Sequence, residues 1–346
     1  MSIASRLRIT FGFLATTSLT ILAAVTATFV LMRISGNPLI NSLGDRLSED
    51  ELQRRLEAAG MNRPIIEQYF DYIFGLFRLD LGQAAVSQTP VLDFIVVAMP
   101  ATLELAILGG CTGTLIALTA LWLALRFHDG WLDRLSRVGA ISIFALPSFL
   151  VAAFGKLVFS TWLGWLPSSG RYSISTELVL RRLDSQTGFV ILDLIAAGRP
   201  ELIADYLWHS VLPALTVGVV FAAGLFRGLR PHLVTQLDSD CVRGAKARGL
   251  SESRVLFTAA LRPVAATAVS IWSFLTAWLL GGAVLGEIVF EWGGVGATLA
   301  QQVSNRDFMV VQGLVITIAT VVILNYRFAD LLARMFDPRL RERVMS

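Results

Sequence analysis

Long apolar runs alternate with polar stretches along the 346-residue chain: Ile9–Met32, Ala101–Leu125, Val138–Leu163, Val211–Phe226, Val264–Val289 and Phe308–Phe328. Runs of about 20 residues are long enough for a helix to cross a hydrocarbon core roughly 30 Å thick. The pattern therefore predicts an all-α polytopic membrane protein with about six transmembrane helices. Met99-Pro100 opens the second run. The third contains Pro147 and Lys156, and Trp162, Trp165 and Pro167 close it with the aromatic signature of a membrane interface. Trp208 and Pro213 lead into the fourth.

Between the first two runs the chain is polar, acidic and helix-forming. Gly36-Asn37-Pro38 is a turn signal. Ser48 with Glu51 reads as a capping box, and Gly60 as the stop of that helix. Asn62 and Pro64 open a further helix with an apolar stripe of Ile65, Ile66, Tyr69, Phe70, Ile73, Phe74 and Phe77. The stripe suits packing of this loop onto the span bundle, and equally a landing surface for an external partner. The stretch 168–210 is polar again, with an amphipathic patch at Phe189–Ile195 too short to span.

A charged island, Asp240 to Pro263, separates the fourth and fifth runs and reads as two short helices joined at a glycine. Ala245 and Ala247 favour the first, and Gly249 can take the positive φ of a helix C′ position. Ser251 is a good N-cap for the second, which places Val255, Leu256, Ala259 and Ala260 on one face. Pro263 ends that element or opens the next span. Such an Arg-rich knuckle held against a membrane is a handle through which a soluble partner could move the flanking helices.

Composition supports the membrane assignment: 55% hydrophobic and 16% charged residues, with a mean hydropathy of +0.65, lie outside the range of soluble domains. The net charge of +3 matters through its placement. Arg6 and Arg8, the 126–137 loop, the 230–262 island and the Arg-bearing tail (Arg334, Arg339, Arg341, Arg343) collect on one side if both termini are cytoplasmic, as the positive-inside rule requires. A cleaved signal peptide with Val25-Thr26-Ala27 at its end competes for the first run. That run continues past Ala27 and exceeds an h-region of about 7–15 residues, so it reads as an uncleaved span. The expected organisation is an N-terminal transmembrane helix (1–33), a helical loop on the far side of the membrane (34–97), a main membrane domain (98–333) with its cytoplasmic loop at 230–263, and a cytoplasmic tail (334–346). No internal repeat or low-complexity segment is visible.

Enzyme chemistry finds no support. Gly293-Gly294-Val295-Gly296 superficially resembles a phosphate loop, but no Gly-Lys-Ser/Thr follows it. There is no HExxH, GxSxG or intramembrane carboxylate pair. Cys111 and Cys241 lie in different surroundings and are expected not to pair, and His128, His209 and His232 fall in separate loops, so no metal site is expected. Charges within apolar runs are costly and default to a functional reading, which singles out Glu104, Lys156 and Glu287 as pathway groups. The alternative for all three is an interfacial position or an interhelical hydrogen bond, with Lys156 able to snorkel. Gly109, Gly110, Gly113, Gly281, Gly282 and Gly286 permit close helix contact or could line a passage.

Read in order, several segments carry a resemblance: Pro100-Ala101-Thr102-Leu103-Glu104-Leu105, Leu146-Pro147-Ser148-Phe149, Leu163-Gly164-Trp165-Leu166-Pro167, Gly286-Glu287-Ile288-Val289-Phe290, Arg306-Asp307 with Val311-Gln312-Gly313, and Asp337-Pro338. Together they resemble the inner-membrane permease subunits of oligopeptide, dipeptide and nickel ABC importers. The EAA-type loop of that family matches at Gly244, Ala245 and Gly249. Arg243 stands at its acidic position, and Ala266-Thr267 stand where many members have Leu-Pro.

The resemblance implies a type I importer permease fold in the bacterial inner membrane and a coupling loop of Arg243, Gly244, Ala245, Lys246, Gly249, Leu250 and Ser251. It also implies two ATP-binding-cassette ATPase subunits, a homologous second permease and a periplasmic binding protein as partners. No cofactor would be held in this chain, because ATP would be hydrolysed by the partner subunits. Peptides, or nickel and metal chelates, are the implied cargo, and nucleic acid is not a partner. An ion-coupled carrier or channel working without an ATPase is the alternative, and a membrane scaffold or sensor a third. No intramembrane ladder of titratable groups and no paired interrupted spans point to a carrier.

Overall fold

The computed structural model describes residues 3–34, 36–44, 47–183, 186–282 and 284–336, and these contain no strand, only one isolated bridge between Gln83 and Pro90. The Asp337-Pro338 segment, Arg339, Arg341 and Arg343 lie outside the described residues. The first span is α1 (Ile3–Ile34). The segment that follows holds α2 (Pro38–Leu43), α3 (Glu49–Ala58) and α4 (Ile65–Phe77). Local chemistry sets these boundaries as the sequence suggests. Asn37 caps α2, and Ser48 Oγ accepts from Glu51 N at 3.4 Å to start α3. Gly60 (φ +66°) stops α3, with Met61 N donating to Leu56 O at 2.9 Å.

The apolar stripe of α4 divides in two. Tyr69 and Tyr72 pack on Phe29 of α1, and the Tyr69 hydroxyl lies 2.8 Å from Thr26 Oγ1. Ile65, Ile66, Phe70, Phe74 and Phe77 stay exposed, so packing onto the spans accounts for only part of the stripe.

The second span is α5 (Val91–Arg126), 36 residues long. It starts nine residues before Pro100, which sits inside the helix rather than opening it. Next come α6 (Trp131–Ala145) and α7 (Ser148–Gly155), which continues through a π-type turn at Lys156–Trp162. These two are bent by 104° at Leu146-Pro147, so the third apolar run is a broken element and not one straight span. Leu146 is extended (φ −80°, ψ 139°), as a residue before proline prefers, and Pro147 cannot continue the hydrogen-bond ladder.

The stretch 168–202 contributes α8 (Ile174–Leu180) and α9 (Val190–Ala196), the latter matching the short amphipathic patch. The fourth span is α10 (Ile203–Leu237), which extends far beyond the Val211–Phe226 run at both ends and contains Pro213 and Pro231. It also contains His209 and His232, which are helical and not in loops as the sequence suggested. At 1.5 Å per residue, its 35 residues reach about 50 Å, longer than a bilayer core is thick. The chain then forms α11 (Asp240–Ala247) and α12 (Glu252–Val255), passes a π-type turn at Leu256–Leu261, and rises as α13 (Arg262–Gly282). Pro263 therefore lies in the first turn of the span. Within the fifth run the structure describes α13 up to Gly282 and α14 (Val284–Phe290). Last come α15 (Val295–Ser304) and α16 (Phe308–Phe336).

Five helical segments among the described residues are long and apolar enough to cross a membrane, and the bent α6–α7 pair makes a sixth. The centre is α5 against α10. A Cβ on Gly113 would meet Gly218 O at 2.6 Å, and Thr112 Oγ1 donates to Ala214 O at 3.0 Å, so this contact depends on small residues and a hydroxyl. Gly281, by contrast, has nothing within 4 Å of where its Cβ would be. Phe221, Leu225, Leu275 and Leu279 fill the core between α10 and α13. Asn325 Nδ2 of α16 donates to Ser273 O of α13 at 2.9 Å.

Candidate functional site

The knuckle between α10 and α13 is built from its caps inward. Ser239 Oγ accepts from Val242 N at 3.4 Å to start α11, and Asp240 in the first turn and Lys246 in the last complement the helix dipole. At the other end Gly249 takes φ +74°. Its N–H bonds Lys246 O at 2.9 Å, and Leu250 N reaches back to Ala245 O at 3.4 Å. Glycine adopts this left-handed geometry at the least cost, which favours it at the reversal after α11.

The knuckle has a small core of its own. Val242, Ala245, Val255, Ala259 and Ala260 are buried together, with Leu237, Leu250 and Leu256 packed against them. Gln236 Nε2 donates to Ala259 O at 2.9 Å, tying the end of α10 to a carbonyl in the π-type turn. Of the candidate coupling residues, Ala245 faces inward as an anchor and Leu250 is half-buried. Arg243, Gly244, Lys246, Gly249 and Ser251 are exposed. Nothing lies within 4 Å of a Cβ built on Gly244 or Gly249, so the outer face of α11 is open. Arg243 donates to Asp238 O at 3.0 Å, and Arg248 Nε donates to Gly244 O at 3.2 Å.

A buried ion pair joins this site to the bent element. Asp133, in the first turn of α6, is fully buried. Arg230 of α10 grips it with Nε on Oδ1 at 2.8 Å and Nη2 on Oδ2 at 2.7 Å. Arg137 adds a contact at 3.5 Å. The end of α10 that carries the knuckle is thereby clamped to α6 by a bidentate, charge-assisted pair.

The three charges of the apolar runs all lie at the opposite end of the bundle. Glu104 of α5 pairs with Arg171 and accepts from Val190 N at 2.7 Å. Arg171 also donates to Gly188 O at 3.0 Å and lies over the Trp292 ring at 5.9 Å. Glu287 accepts from Thr102 Oγ1 at 2.7 Å, Gly296 N at 2.7 Å and Ala297 N at 3.2 Å. Lys156 Nζ donates to Val289 O at 2.8 Å, which ties α7 to α14 rather than snorkelling. All three groups thus hold hydrogen bonds to distant parts of the chain.

The space at the glycine-rich loop 293–296 is taken by the Glu287 side chain, whose carboxyl group accepts from Gly296 N and Ala297 N at the start of α15. A Cβ on Gly294 would come within 2.5 Å of Thr102 Oγ1 and of the Glu287 carboxyl carbon. Glu287→Ala leaves buried amides and a hydroxyl without their acceptor, at about 1–3 kcal/mol for an unsatisfied group. It is expected to lower the thermal unfolding midpoint in detergent by several degrees. An unchanged midpoint would show that these contacts do not hold this end of the bundle together.

Residues 116–342 match the family of binding-protein-dependent transport system inner membrane components. The chain belongs to that family. Similar relatives include the di/tripeptide transport system permease protein DppB of Pseudomonas aeruginosa, 31% identical over 316 residues, 91% of this chain and 93% of that protein. The dipeptide transport system permease protein DppB of Escherichia coli K12 is 31% identical over 92% of this chain and 94% of its own. That of Alkalihalophilus pseudofirmus is 29% identical over 90% and 92%. The protein is therefore a multi-pass inner-membrane permease component of an ABC-type importer.

Sequence reasoning about this permease missed Asp133 and Arg171. Both are loop-adjacent charges of an ordinary kind, and their partners lie 97 and 67 residues away. The weak signal for Asp133 was Arg137 four residues on; for Arg171 there was none. Cys111 and Cys241 are free and exposed. No group of three or more potential metal ligands occurs among the described residues.

Proposed function

We propose that this permease forms, with a homologous second permease, the translocation pathway for short peptides delivered by a periplasmic binding protein, and that two ATPase subunits dock on the α11 knuckle. The observation that carries the reading is the build of that knuckle. A short helix is fixed by its own core to the ends of two spans, while its basic, glycine-bearing face is left open. A structure anchored this way transmits a push to α10 and α13 rather than absorbing it.

Both termini and the knuckle are cytoplasmic in this reading, which puts the 34–97 loop and the Glu104 and Glu287 clusters on the periplasmic side. The permease domain is residues 98–333. ATP is bound and hydrolysed by the partner subunits, and this chain holds no cofactor. The peptide cargo rests on the relatives' names, and nickel or metal chelates are the side option.

Reconstitution with the candidate ATPases, second permease and binding protein tests the reading. Dipeptide uptake into proteoliposomes is expected with hydrolysable ATP and absent with a non-hydrolysable analogue. Equal uptake in both would reject ATP coupling in favour of an autonomous carrier. Uptake of nickel chelates alone would reject the peptide assignment while leaving the coupling intact.

A further inference from the structure

Away from the knuckle and the outer carboxylates, a cavity of ≈ 170 Å³ opens between the end of α1, the first turn after α3, α4 and the start of α16. Its lining includes Arg33, Gln68, Tyr72 and Gln312. Each of these four presents a buried polar atom with no hydrogen-bond partner: Arg33 Nε, Gln68 Oε1, the Tyr72 hydroxyl and Gln312 Nε2. Gln312 is only 4% exposed, and it approaches the Tyr72 phenol without completing a good hydrogen bond. Buried polar groups are nearly always satisfied, so these groups, of which Tyr72 and Gln312 also lean on each other, converge on one cavity that an occupant would complete.

The remaining atoms of these side chains are fixed. Gln68 Nε2 donates to Met61 O at 3.0 Å and Arg63 O at 2.8 Å, which turns its oxygen to the cavity side. Arg33 Nη2 rests on Met61 Sδ at 3.2 Å, and its guanidinium covers the Phe29 ring at 5.0 Å. Tyr72 stacks on the same ring at 5.8 Å.

The chemistry of the missing partner follows from the inventory. Arg33 Nε and Gln312 Nε2 can only donate. Burial pushes the Tyr72 phenol above its ordinary range, so it too is a proton donor at any physiological pH. Both carboxylates in the lining are engaged elsewhere, Asp71 with Arg63 Nη1 at 3.0 Å and Asp80 with Gly82 N at 3.0 Å. Among the described residues Arg33 forms no ion pair. Water would satisfy the single donors, but it leaves the guanidinium charge without a counter-charge. One acceptor, Gln68 Oε1, offers room for an accompanying amine.

We propose that this cavity binds a small free carboxylate of amino-acid size, held by Arg33, Tyr72 and Gln312, with an amine of the same molecule on Gln68. The site stands apart from the coupling knuckle and does not depend on the transport reading. The test is calorimetric titration of the full-length chain in lipid nanodiscs with alanine and with alaninamide, which lacks the carboxylate. Alanine is expected to bind and alaninamide not.

Tyr72→Phe and Gln312→Leu each remove one donor with little change of volume, and each is expected to weaken alanine about tenfold, the scale of a hydrogen bond to a charged group. Tyr69→Phe, whose hydroxyl bonds Thr26 instead, is the control and is expected to leave affinity unchanged. Equal binding of the two ligands, binding of neither, or full affinity in both pocket variants would overturn the proposal and leave a hydrated cavity.

Discussion

Gly249→Trp is expected to abolish co-purification of the ATPase subunits and ATP-driven uptake while the chain still inserts in the membrane at its normal level. Two separate features of the position give this result. Its φ of +74° costs a residue with a Cβ roughly 1 kcal/mol, too little to unfold a knuckle with a core of its own. A Cβ there meets nothing within 4 Å, so the indole projects outward into the space a docking partner would fill rather than into the protein.

Gly249→Asn separates the two effects. Asparagine tolerates the left-handed region and adds little bulk, so it is expected to retain most of the ATPase. Pull-down of the ATPase by the tagged permease measures both. Undiminished recovery with the tryptophan variant would place the docking surface elsewhere.

Arg230→Leu is the second large effect. It leaves the fully buried Asp133 carboxylate without its bidentate partner and with only the longer contact to Arg137, a loss of about 1–3 kcal/mol. A marked fall in thermal stability and in uptake is expected. Combining it with Asp133→Leu removes both charges and replaces them with apolar bulk, so most of the stability should return.

Uptake is expected to stay low in that double variant. The clamp between α6 and the knuckle end of α10 is gone even though the fold is sound, and ATPase co-purification should persist. Stability and uptake recovering together would show that the pair only holds the structure. Failure of the double variant to regain stability would mean that the charges do not compensate one another as the geometry indicates.

Much of the architecture was legible in the chain. Six apolar runs became five long helices and one broken pair, because crossing a bilayer depends on length and hydropathy, which are linear properties. The knuckle was legible for a similar reason. Gly249 acts on backbone groups three to five residues away, so a helix stop is written locally, whereas the cap at Ser239 was not picked out. The family segments led to the right family for the whole chain, although Arg243 departs from the expected acidic position.

Proline was harder to interpret. Pro100, Pro213 and Pro231 ride inside long helices, while Pro147 ends one and turns the chain by 104°. The same ring yields different outcomes because neighbouring helices decide whether the lost hydrogen bond is tolerated.

What the sequence determined alone was therefore the approximate number and order of the apolar segments and the existence of a basic knuckle between the fourth and fifth. What only the tertiary structure decided was where each buried charge finds its partner. Glu104 meets Arg171, Glu287 meets Thr102 and its own downstream amides, and Asp133 meets Arg230. The physical reason is that hydropathy is summed along the chain, whereas the compensation of a buried charge is a contact in space. Separations of 67 to 185 residues leave no periodic trace of such contacts in the sequence.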